Sequence, residues 1–125
     1  MEMNYQDILK MTTEERKDTI TKFLVELLGK NREDQIRDFQ NMIVHMAKEY
    51  NDREYIDFSK LSLEIIYSMD EKSIKSIMEA RLEAQFEIED LFVRNIDSTN
   101  FLKAIEKMPA EDHIVEILKK YGIMP

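Results

Sequence analysis

The chain contains no cysteine and no tryptophan, and only two glycines and two prolines among its 125 residues. Without cysteine there is no disulfide framework, no thiolate metal or iron–sulfur ligation and no cysteine nucleophile. Loops that cradle phosphate need several glycines so that the backbone can approach the anion. Here Gly29 and Gly122 stand far apart, each at an expected helix end, so nucleotide-binding loops of that kind are excluded. The same scarcity of turn residues argues against a fold rich in hairpins. Long hydrophobic runs are missing as well. The best are Phe23-Leu24-Val25 and Leu27-Leu28, split by Glu26, far short of the roughly 18 residues of a membrane span. The opening MEMNYQDILK has no basic start followed by an apolar run, so it does not read as a signal peptide. A cytoplasmic protein without membrane contact is therefore expected.

Positive charge is also short. Lys and Arg number 18 against 26 Asp and Glu, for a formal net charge of −8 and a pI near 4.8. Nucleic-acid binders gain affinity by neutralising phosphates, and neither half of this chain is basic, so nucleic acid is not the expected partner. What remains is a globular composition, 43% hydrophobic and 35% charged, at a length suited to one domain over residues 1–125. Residues 1–11 are expected to form a loosely attached N-terminal segment.

The punctuation that is present is helical. Thr12 and Glu15 have capping-box spacing, in which the threonine caps a backbone N–H and the glutamate reaches back. Ile20, Phe23, Leu24, Leu27 and Leu28 follow at intervals of three and four, and Gly29 reads as a left-handed stop. Asn31 can cap a second helix with the stripe Ile36, Phe39, Ile43, Met46, Ala47 and Tyr50. Residues 51–54 read as a connector and Asp57 as the cap of a shorter helix. Ser68 and Glu71 suggest a second capping box, opening the longest helix at about 70–95. Asp97-Ser98 reads as the cap of a short helix carrying Phe101, Leu102 and Ile105. Pro109 suits a first helical position ahead of Ile114, Ile117, Leu118 and Tyr121, with Gly122 as the stop. The expected fold is all-α: five to seven helices in a compact bundle, without a sheet. The methionines Met42, Met46, Met69, Met78 and Met108 fall on or beside these stripes and read as core fillers.

Two histidines bound the metal and acid–base chemistry. Neither His45 nor His113 has the Glu three residues before it that places a bundle metal pair, and no His-x-x-x-His exists. His45 falls opposite its helix's apolar stripe and His113 at the edge of one, so both read as surface or edge residues. No catalytic residue, metal site or cofactor is expected.

Two lines of residues on the 70–95 stretch stand out. Glu79, Glu83, Glu87 and Asp90 form an acidic ridge, which reads as a solvated face that needs no ligand. Arg81, Gln85 and Glu89 fall, four apart, inside the apolar face Ile74, Ile77, Met78, Ile88, Leu91, Phe92 and Ile96. Buried unpaired charge costs several kcal/mol, so these three need partners. They fit the edge of a groove, a local network with Gln85 as the bridge, or a symmetric dimer in which Arg81 of one chain meets Glu89 of the other. A small polar pocket is a fourth arrangement. The functional expectation is a small helical protein–protein interaction module, a homodimer or the partner of another protein, with Arg81, Gln85 and Glu89 setting register. The alternatives are a helix-turn-helix-like DNA-binding regulator on residues 12–50 and a ligand-binding bundle or enzyme using Arg81 and Glu89.

Overall fold

A computed structural model describes residues 3–108, 111–120 and 122. Among them are seven helices and no strand: α1 (Tyr5–Lys10), α2 (Thr13–Leu28), α3 (Arg32–Glu49), α4 (Asp52–Tyr67), α5 (Glu71–Phe86), α6 (Leu91–Glu106) and α7 (Glu111–Lys120). The fold is all-α. No helix among the described residues is long and apolar enough to cross a membrane.

Local chemistry explains most boundaries. Thr12 and Glu15 form the expected capping box, and the Asn31 side chain accepts from the backbone N–H of Asp34. Gly29 stops α2 without a left-handed turn, since its φ is −84°. The free carbonyls at that end are instead satisfied by the Gln35 amide, which donates to Leu27 O at 3.0 Å and Lys30 O at 3.2 Å. Gly122 does take the left-handed conformation, with φ +73°.

Five further sequence expectations are corrected. Residues 51–54 are no connector: Asn51 and Glu54 make a reciprocal capping box, so α4 starts at Asp52 and Asp57 lies inside it, exposed. Ser68 does not cap α5; its hydroxyl donates back to Ile65 O at the end of α4, and Asp70 caps α5 by accepting from Ser73 N. The 70–95 stretch is two helices, with α5 ending at Phe86 and a turn over residues 87–90, which leaves α3 the longest described helix. Asp97 caps nothing, because it sits in the middle of α6 and is wholly buried. The Pro109, His113, Ile114 and Tyr121 expectations fall outside the described residues or side chains.

The core is one cluster. Leu24 and Leu27 of α2, Phe39, Ile43 and Met46 of α3, Tyr55 and Leu63 of α4, and Ile77 and Met78 of α5 fill it, with Phe101 and Ala104 of α6. α3 packs most closely on α5 and α4 on α6, while α2 lies against α4 and α5. The N-terminal segment is fastened to this core. Tyr5 and Ile8 are buried, the Tyr50 hydroxyl donates to Tyr5 O at 2.9 Å, and Arg16 donates to Ile8 O and Leu9 O.

Candidate functional site

The pair α5–α6 holds the charged residues singled out in the sequence, with a different carboxylate at the centre. Val93, Asp97, Asn100, Phe101, Ala104 and Ile105 form the inner face of α6. α5 turns Arg81 and Gln85 towards them, and α4 brings Tyr55. Arg81 grips Asp97 in a two-pronged ion pair, at 2.8 Å to Oδ2 and 2.6 Å to Oδ1. Gln85 Nε2 donates to Oδ2 at 2.8 Å and the Tyr55 hydroxyl to Oδ1 at 2.5 Å. The guanidinium also lies over the Phe101 ring, 4.4 Å from its centroid. Beside this knot the Asn100 amide donates to Asp52 Oδ1 at 3.2 Å, linking α6 to the start of α4.

Arg81 is 3% exposed and Asp97 0%, so their charges survive only through mutual compensation. Burial by itself raises the Asp97 carboxyl; the Arg81 charge, the Arg81 hydrogen bonds and those from Tyr55 and Gln85 outweigh it and hold the group below its ordinary value. Burial lowers Arg81 while Asp97 raises it, and the net direction is upward. The Tyr55 hydroxyl is pushed up by burial and by the Asp97 charge. Four donors converging on one carboxylate keep Asp97 ionised and leave its oxygens saturated. That geometry does no acid–base chemistry.

Glu89 is not part of the knot. It lies exposed in the turn after α5, and no hydrogen bond or ion pair joins it to Arg81. The acidic ridge is likewise divided. Glu79 pairs with Arg32 of α3 at 3.2 Å, Glu83 is exposed, Glu87 is the C-terminal cap of α5, and Asp90 caps α6 by accepting from Phe92 N and Val93 N. Among the described residues no group of acidic or histidine side chains is arranged to hold a metal ion. His45 is exposed, stacks on Tyr5 at 5.4 Å and meets Glu49 at 3.0 Å.

A cavity of about 20 Å³ touches Arg81, Ser59, Ser62 and Phe101, a space for a single water rather than a substrate. A wider depression between α1, α2 and α3 is lined by Tyr5, Lys30, Asp38 and His45, and there Lys30 is paired with Asp38 at 2.6 Å. In the α2–α3 pair Arg37 also meets Asp34, so much of the positive charge that a DNA backbone would need is matched by neighbouring carboxylates.

The outer side of α5–α6 is the opposite in character. Phe86 is 77% exposed, Leu91 63% and Phe92 74%. Leu91 and Phe92, which periodicity assigned to the core, face outwards because the helix restarts at Asp90. The corner is held firmly without glycine or proline. Ile88 is buried beneath it, and Arg94 folds back to donate from Nε and one terminal nitrogen to Ile88 O at 3.0 and 2.6 Å. The same guanidinium lies 5.9 Å from the centroid of the Phe86 ring. Further along α6, Leu102 is also exposed. Sequence reasoning missed this corner because its signal, an Asp two residues ahead of Phe92, was read as one member of an acidic ridge. Comparison with protein-family models, with curated proteins and with solved structures finds no match to this chain.

Proposed function

We propose that the chain is a small helical protein–protein interaction module whose working surface is the corner Phe86, Leu91 and Phe92 together with the outer face of α6. The carrying observation is the exposure of three large apolar side chains that flank one turn, on a chain whose other large apolar residues lie mostly in the core. Scattered exposed leucines need no explanation, but a cluster of this kind marks an interaction site. Phenylalanine is also enriched at protein interfaces relative to the rest of the surface. The corner is pre-formed by Arg94 and Asp90, so little ordering is required when a partner arrives. The internal saturation of Asp97 and Arg81 agrees with a binding role rather than catalysis.

The test is site-specific photo-crosslinking in cells, with benzoylphenylalanine placed at position 92 and, as control, at exposed Lys17 on α2. The expected result is a discrete protein adduct from position 92 and none from position 17. Absence of any adduct at 92 overturns the reading.

A further inference from the structure

The occupant of this surface follows from the pattern on α6, taking the interaction reading above as its premise. Leu91, Asn95, Ser98 and Leu102 are all exposed, and they are spaced four, three and four apart. That is the spacing of a seam between packed helices. The seam reads alike in both directions, apolar–polar–polar–apolar, and its centre lies between Ile96 and Asp97. The symmetry continues in charge. One residue beyond Leu91 is Asp90, preceded by Glu89, and one residue beyond Leu102 is Lys103. Lys103 and Lys107 are exposed and make no salt bridge among the described residues, and the same holds for Glu87 and Glu89.

We infer that a second copy of this chain occupies the face, with the two α6 helices antiparallel about a two-fold axis near Ile96 and Asp97. In that arrangement Leu91 of each copy meets Leu102 of the other, and Asn95 meets Ser98 at the centre, where small side chains allow close approach. Asp90 and Glu89 face Lys103 of the second copy, twice over by symmetry. A parallel arrangement is excluded by charge, because it sets Glu87, Glu89 and Asp90 against the same acids. Desolvation favours the contact. Between Leu91 and Leu102 the only charged residues are Asp97, which is buried, and Arg94, which is folded onto the Ile88 carbonyl. Register comes from the paired ends of α6, and Arg81 and Gln85 stay within their own chain.

The chain has no cysteine of its own, so single cysteines report geometry directly. With a rise of about 1.5 Å per residue, two Ser98→Cys positions lie only about 4–5 Å apart along the helix axes, whereas two Leu102→Cys positions lie roughly 16 Å apart. The expected result under mild oxidation is a disulfide dimer from Ser98→Cys and none from Leu102→Cys alone. Leu102→Cys mixed with Leu91→Cys crosslinks. Sedimentation of the full chain supplies the second readout: Lys103→Glu raises the dissociation constant at least about tenfold, and adding Glu89→Lys recovers most of that loss. Self-crosslinking of Leu102→Cys, or a monomer at every concentration, overturns the inference. An adduct at position 92 to a different protein also overturns it while leaving the interaction reading standing; no adduct at all removes both.

Discussion

The two sides of the α5–α6 pair each carry a few side chains of the kind expected on the other, within an otherwise apolar inside and polar outside. Inside lie a guanidinium, a carboxylate, an amide and a phenol, and outside lie Phe86, Leu91, Phe92 and Leu102. The inner group is charged yet complete, since every donor aimed at Asp97 comes from this chain. The outer group is uncharged yet incomplete, since most of its apolar surface is left exposed. The pair teaches that polarity by itself does not mark a functional residue. What marks it is whether the chain satisfies the group internally. By that measure Arg81 and Gln85 are architecture, and the ordinary-looking Leu91 and Phe92 are the residues we propose as the working surface.

Three measurements separate the two sides, beginning with the largest effect. Asp97→Ala leaves the Arg81 charge buried without a counter-ion, and about 3–5 kcal/mol of folding stability is expected to go, read from urea denaturation. Replacing both partners, as Arg81→Met with Asp97→Leu, is expected to recover most of that loss, because no orphaned charge is left. If the double variant is as unstable as the single one, the knot contributes something other than mutual compensation.

The second measurement is pH. The folded Asp97 carboxyl lies below its ordinary value, so its contribution is present in full above the unfolded value, about pH 4, and is lost as pH falls through the lower folded value. Urea midpoints between pH 2 and 6 are expected to fall more steeply for the native chain than for Asp97→Asn. Parallel slopes would place the acid sensitivity elsewhere.

The smallest expected effect is on the outside. Phe92→Ser is expected to change folding stability by no more than about 0.5 kcal/mol, as for surface positions generally, while weakening the self-association that sedimentation reads. A large loss of stability would move Phe92 from the surface into the support of the fold.

Much of the architecture was legible because apolar periodicity and caps agree. The Thr12–Glu15 box, the Asn31 cap and the stripe through Phe39, Ile43 and Met46 all predict what forms. The unpaired-charge argument also points to Arg81 and Gln85, both of which bond to Asp97, since a buried arginine demands a carboxylate. It named the wrong one, Glu89, for a specific reason. Ile88, Leu91 and Phe92 extend the spacing of Ile74, Ile77 and Met78 without a glycine or proline between, so one long helix fits the pattern as well as two. Only the Asp90 cap breaks the tie. Once α6 starts at Leu91, Asp97 and Asn100 fall on the same face as Val93, Phe101 and Ala104, and the partner of Arg81 becomes plain. The exposed face was illegible for the complementary reason: which side of an amphipathic helix meets a neighbour is decided by how the helices are stacked.

The carboxylate of Asp97 also governs how the molecule comes apart. It is held simultaneously by Tyr55 from α4 and by Arg81 and Gln85 from α5, while belonging to α6 itself. Peeling any one of these helices away would strand a charge in an apolar interior, so partial openings of that region lie close in free energy to complete unfolding. Amide protons along α4, α5 and α6 are therefore expected to exchange with solvent through one common event rather than helix by helix. A platform of that kind would let the proposed surface at Phe86 and Phe92 take up a partner without transmitting local loosening into the bundle.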